Sequence, residues 1–214
     1  MPDDLTKCGC INTFSTKDAK AELERYQRNG PTPTTQALID AIVAEGVTGS
    51  TLLDIGGGIG AIQFGLLAAG AARAESVEAS PAYVRLARGE ARRRGYGSRV
   101  SGRAGDFVAI AADVPDAEIV TLDRVICCYA DVAALVGGAA NHARRAVGLV
   151  YPRVTWWIRA GVWVANRLMP FLRRPAWIFV HPDAAVHEPL HAAGFRRRTV
   201  TRTLIWQVVL YVRA

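Results

Sequence analysis

Thr51 to Ala61 reads TLLDIGGGIGA. A short apolar run, Leu52 and Leu53, ends in Asp54 and breaks into glycines at 56, 57, 58 and 60, after which an Ala-rich helical pattern runs from Ala61 to Ala72. The order is strand, glycine turn, helix. Glycine suits such a turn because some positions need φ > 0, and because a missing Cβ lets backbone N–H groups approach a ligand at the helix N-terminus. The stretch therefore predicts a nucleotide-like ligand. Two cofactor patterns match it equally: GGGIGA satisfies the dinucleotide form G-x-G-x-x-A, and with Asp54 in front the residues satisfy D-x-G-x-G-x-G.

Residues further along break the tie. A second strand-like run, Glu75 to Glu78, ends in an acid at the distance suited to ribose hydroxyls, a need both cofactor classes share. A third, Val100 to Ala104, is followed by Gly105-Asp106-Phe107, an acid that can accept from an adenine amine beside an aromatic that can cover the ring. With LLDIGGGIG, SVEAS, AGDF and VTLDRVICCYAD in this order and spacing, the sequence resembles the class I S-adenosylmethionine (SAM) dependent methyltransferases from about Ala37 to the C-terminus.

That resemblance implies a Rossmann-like, doubly wound α/β fold: a seven-stranded sheet, mostly parallel with a C-terminal antiparallel hairpin, plus N-terminal capping helices. Residues 1–36 are expected to form an arm and cap helix, and 37–214 a single SAM-binding unit. By the same resemblance Asp54 orders the glycine loop and the amino-acid end of SAM, Gly56, Gly58 and Gly60 let the backbone approach, and Glu78 with Ala79 holds the ribose. Asp106 and Phe107 address the adenine, and Leu122 and Asp123 complete the wall. A weaker resemblance, on general motifs only, reaches the magnesium-protoporphyrin O-methyltransferases and names no substrate.

The 214 residues suffice for one α/β domain with a full core and not for two ordinary ones. The net charge of +7 comes almost wholly from Arg, in an Ala-rich chain, a bias that genome composition also produces. The basic surface still favours acidic partners. MPDDLTK is polar and acidic, without the apolar core of a secretory signal, so a cytoplasmic location is expected. Arg159, Asn166, Arg167 and Pro170 interrupt the longest apolar tract, Val154 to Leu172, which argues against a spanning helix.

In chain order, Ser15 reads as an N-cap for a helix over Ala19 to Arg28, and a second helix after Pro33 has Leu38, Ile39, Ile42 and Val43 as its buried stripe. A helix over Pro81 to Arg94 ends in a solvated Arg92-Arg93-Arg94 turn that suits the helix dipole. Asp116 to Leu122 is the fourth strand. The loop after it faces the loop after the first strand across the crevice, so Arg124, Cys127, Cys128 and Tyr129 are candidates for substrate contact. Then come a helix to Arg145, a strand over Ala146 to Tyr151, a Trp-rich basic helix within Val154 to Arg174, a short strand over Trp177 to Val180, a helix over Asp183 to Ala193, and two terminal strand runs.

No residue stands out as a general base. His181, after WIFV, and Tyr129 are the candidates for a catalytic role at the crevice rim. His187 and His191 have i,i+4 spacing with no third ligand, which reads as a solvated helix face and not a metal site.

The function expected is methyl transfer to an O, N or S nucleophile of a small, apolar or anionic molecule. An NAD(P)-dependent oxidoreductase and a non-catalytic SAM-binding protein are the alternatives. The fourth strand is followed by Asp123-Arg124-Val125-Ile126, with no Asn-Pro-Pro-Tyr-type motif and no appended RNA-binding module, so nucleic acid is disfavoured as substrate. The side of the Trp helix bearing Trp156, Trp157, Ala160, Val164, Leu168 and Phe171 has two readings, core packing or a lid for peripheral membrane contact. Cys8 and Cys10 on the arm could converge with Cys127 and Cys128 to hold zinc or trivalent arsenic, although C-x-C alone is a weak metal signature.

Overall fold

The computed structural model describes residues 15–168 and 177–214. Two helices lead, α1 (Thr16–Asn29) and α2 (Pro33–Ala44). Strands and helices then alternate as β1 (Thr51–Ile55), α3 (Ala61–Ala68), β2 (Arg73–Glu78), α4 (Pro81–Arg93), β3 (Val100–Ala104), the short α5 (Phe107–Ile110), β4 (Ala117–Asp123), α6 (Val132–His142) and β5 (Ala143–Pro152). The chain closes with α7 (Trp156–Leu168), α8 (Asp183–Ala192), β6 (Phe195–Arg202) and β7 (Trp206–Arg213).

The strands form one seven-stranded sheet in the order β3-β2-β1-β4-β5-β7-β6. β7 pairs antiparallel with both β5 and β6, and the other pairings are parallel, which is the expected fold class. Strand order reverses between β1 and β4, so the carboxyl ends of these two strands open the ligand crevice. Successive residues of β1 serve opposite faces: Leu52 joins Leu38, Ile42, Ile62 and Leu66, while Leu53 joins Leu122, Val136 and Val147. A strand covered on both faces needs a near-continuous apolar run, which TLLDI supplies except at Asp54.

α1 starts on a capping box: the Ser15 hydroxyl accepts the Asp18 N–H at 3.2 Å, and Asp18 Oδ2 accepts the Ser15 N–H at 3.0 Å. The helix packs on α4 through Ala19, Tyr26, Tyr83 and Ala91. Below them Glu90 is buried and accepts from Arg93, Arg94 and Gln27, and the Arg94 guanidinium lies 4.8 Å from the Tyr26 ring centre and 5.0 Å from that of Phe64. The arginine run at the end of α4 is therefore an anchor for α1 as well as a solvated turn.

Four expectations are corrected. α3 stops at Ala68, because Gly70 (φ 107°) turns the chain. Residues 143–145 are strand and not helix, since Ala143 pairs with Ala117. Trp177 to Val180 forms no strand; the Phe179 N–H is taken by the Cys127 carbonyl at 2.8 Å. Val43 is exposed, outside the α2 stripe that buries Leu38, Ile39 and Ile42. The edge strand β6 buries only Phe195 and shows four arginines to solvent, which disfavours edge-to-edge pairing. Among the described residues no helix is long and apolar enough to cross a membrane.

Candidate cofactor and acceptor site

The glycine turn leaves β1 at Gly56 (φ 66°), whose N–H continues the ladder by donating to the Val77 carbonyl at 2.7 Å. A side chain here would overlap Val125 in the loop after β4, so the two loops close on one another only because residue 56 is glycine. Gly58 (φ 53°) follows, and Gly60 is the N-cap of α3.

The Gly58 N–H donates to Glu78 Oε2 at 3.1 Å, and the Ser80 N–H donates to Glu78 Oε1 at 2.8 Å. Glu78 is buried, and burial pushes its carboxyl up. Asp54 is more deeply enclosed. Its Oδ1 accepts from the Thr121 hydroxyl at 2.7 Å and its Oδ2 from Gln63 Nε2 at 3.1 Å. Burial dominates, and with smaller pushes from Asp123 and Glu78 it raises this carboxyl from 3.8 to about 7 against the two hydrogen bonds.

Asp106 is the N-cap of α5, accepting the Val108 N–H at 3.1 Å; the Tyr129 hydroxyl also donates to it, at 3.0 and 3.1 Å from its two oxygens. Asp123 accepts from the Thr35 hydroxyl of α2 at 2.6 Å and from Arg124 Nε at 3.1 Å. Arg124 (φ 60°) is the one non-glycine residue with positive φ among the described residues. Such backbone costs of order 1–3 kcal/mol and clusters at functional sites.

These groups enclose one cavity of about 270 Å³ at the switch point. The expected residues Asp54, Gly56, Gly58, Glu78, Ala79, Asp106, Phe107, Asp123, Arg124, Cys128 and Tyr129 all border it. Others are placed differently. Leu122 is fully buried in the sheet and does not border the cavity, and Gly60 stands behind it at the helix cap. Phe107, though it borders the cavity, is 3% exposed and meets His142 edge-on at 5.3 Å, so much of its ring packs in the core. Cys127 is buried against the Arg124 carbonyl.

His181 does not reach the cavity. Its Nε2 sits 2.8 Å from the Tyr129 carbonyl and its ring stacks on Phe179, so it pins the β4 loop from behind. Burial lowers its basicity. The Cys127 and Cys128 sulfurs are 3.8 Å apart, while Cys8 and Cys10 lie outside the described residues. Among the described residues no three His, Cys, Asp or Glu side chains are grouped to hold a metal.

Five participants had not been expected. Glu22 of α1 borders the cavity and accepts from the Tyr83 hydroxyl at 2.8 Å, so α1 meets the site through this hydrogen-bonded pair. Thr35, Gln63 and Val125 act through Asp123, Asp54 and Gly56. Tyr83, two residues into the helix after β2, had a signal in its position; Glu22 had none, since any polar residue on α1 looks alike in sequence.

No family model matches the chain, and no curated protein does. Solved structures do. Magnesium protoporphyrin IX methyltransferase from Synechocystis PCC 6803, with bound SAH, superposes with a TM-score of 0.70 at 19% identity over 92% of this chain and 95% of that one. An O-methyltransferase family protein from Burkholderia thailandensis gives 0.72 at 15% identity over 94% of this chain and 60% of that one. Geranyl diphosphate C-methyltransferase from Streptomyces coelicolor A3(2), in complex with Mg2+, geranyl diphosphate and S-adenosyl-L-homocysteine, gives 0.67 at 16% identity over 93% and 84%. The chain has the methyltransferase fold. Identities this low carry the architecture, and the chemistry has to be argued from the site.

Proposed function

We propose that the chain is a SAM-dependent methyltransferase acting on a small-molecule acceptor, with residues 37–214 as the SAM-binding unit and the preceding residues as arm and cap. One observation carries the choice of cofactor. The cavity is bordered by five carboxylates, Glu22, Asp54, Glu78, Asp106 and Asp123, against one cation, Arg124, among the described residues. A dinucleotide would bring a doubly negative pyrophosphate to the glycine turn, where the Gly58 N–H already donates to Glu78. A cofactor carrying a sulfonium and an ammonium suits that field.

SAM supplies a methyl group already activated on sulfur. The chain's contribution is to hold and align: Asp54 faces the amino-acid end, Glu78 and Ala79 the ribose, and Asp106, fixed by Tyr129, the adenine amine. Arg124, Cys128 and Tyr129 border the acceptor side, with Glu22 and Tyr83 reaching over from α1 and α4. Alignment and exclusion of water can contribute about 7 to 11 kcal/mol to such a displacement.

Thermal unfolding with SAH tests the reading. At 100 times its dissociation constant SAH adds about 2.7 kcal/mol of stability. Stabilisation by NAD(P)H and not by SAH overturns the proposal. A non-catalytic SAM-binding protein is the second reading, favoured by one feature: the Tyr129 hydroxyl and His181 Nε2 are both engaged in holding the β4 loop region. Release of SAH in the presence of any acceptor in a panel of phenols, amines, thiols and carboxylates excludes it.

A further inference from the structure

We propose that the outer face of α7, together with the β6–β7 turn, seats the protein on an anionic lipid surface. The inference is independent of the reaction catalysed. Core packing, one of the two readings of the Trp helix, is not what the structure shows: of the thirteen residues of α7 only Ile158 is buried. Trp156 is 81% exposed, Trp163 62% and Leu204, in the turn, 73%.

The two elements form one surface. The Arg153 N–H donates to the Ile205 carbonyl at 2.8 Å and Arg153 Nη1 to the Thr203 carbonyl at 3.0 Å, which brings the turn beside the start of α7. The exposure is not a sign of a helix lacking a seat. Asn166, toward the inner side, is locked to Ile178 by two reciprocal hydrogen bonds: its Nδ2 donates to the Ile178 carbonyl at 2.8 Å, and its Oδ1 accepts the Ile178 N–H at 3.0 Å. The aromatic side is therefore held outward.

Charge selects the occupant. Residues 153–168 and 189–214 contain no Asp or Glu, while Arg153, Arg159, Arg167 and Arg202 flank the apolar side chains. The Arg167 guanidinium lies 5.2 Å from the Trp163 ring centre, a pairing that keeps an arginine at the level of an indole. Tryptophans and aliphatic residues among arginines, with no carboxylate, match the boundary between acyl chains and anionic headgroups. A second copy would bring like charge against like charge. RNA would use the arginines and indoles but would leave Val164, Leu168, Leu204 and Ile205 without a partner.

The test is flotation of the full chain with vesicles of phosphatidylcholine alone and vesicles rich in phosphatidylglycerol. Binding to the anionic vesicles, weakened by salt and accompanied by a blue shift of Trp fluorescence, is expected. W156S/W163S/L204S, changed only at exposed positions, should lose more than about tenfold in partition with an unaltered unfolding temperature. R159Q/R167Q/R202Q keeps the apolar side chains and should lose the preference for anionic lipid. Absence of vesicle binding by the parent protein, equal binding by parent and both variants, a dimer in solution abolished by the triple serine variant, or vesicle binding displaced by RNA would each overturn the proposal.

Discussion

Asp54→Asn is the perturbation with the sharpest consequence. The folded protein raises the Asp54 carboxyl from 3.8 to about 7, chiefly by burial. A raised acid binds more protons in the folded state than in the unfolded one between these two values. Stability is therefore fully present at low pH and is lost as pH rises through about 7. At about 1.4 kcal/mol per tenfold the loss approaches roughly 4 kcal/mol at pH 8. Asparagine cannot ionise, and it can keep both partners: its carbonyl accepts from Thr121, and its amide can donate to Gln63 Oε1, which has no partner among the described residues. The variant should match the parent within about 1 kcal/mol at pH 4 and exceed it by several kcal/mol at pH 8, while SAH binds it more weakly. Urea unfolding of both proteins at pH 4 and pH 8, with and without SAH, measures this directly. Parallel pH dependence in the two ligand-free proteins would refute the assignment of the cost to Asp54. Tighter SAH binding by the variant would refute its role at a cationic end.

Tyr129→Phe removes a donor from Asp106 and should weaken SAH binding by about 1.5–3 kcal/mol, read by calorimetry, with a smaller effect on acceptor affinity. His181→Gln should leave turnover within about tenfold of the parent, whereas removal of a general base would cost about 10² to 10⁴; a panel acceptor and an SAH-release assay distinguish the two. Glu90→Gln breaks the buried anchor of α1 and should cost about 3 kcal/mol in urea unfolding. Because Arg93 and Arg94 hold the Glu90 carboxyl down to about 2, that difference should shrink as pH falls from about 4.5 toward 2.

The sheet was legible because its strands carry their own punctuation. RAESVE and AEIVTLD end in an acid at the carboxyl edge and TLLDI carries one next to last, while the glycine turn, Ser80-Pro81 and Asp106 each mark where a helix begins. The acids facing the cavity follow from the same edges, which is why Asp54, Glu78, Asp106 and Asp123 could be named from the motifs and the resemblance they carry. Residues that act through another side chain left no such trace. Thr35 reaches Asp123 across 88 positions and Tyr83 meets Glu22 across 61, and neither pairing has a period or motif to announce it. His181 is placed away from the cavity for a related reason: a motif fixes where the backbone runs, and local packing then decides whether a side chain turns to the cavity or the core. α7 shows the limit most clearly. Its apolar stripe has the same spacing whether it faces a core or a membrane, and only the burial of Ile158 on the far side of the helix, with Asn166 tied to Ile178 on its flank, decides that Trp156 and Trp163 point outward.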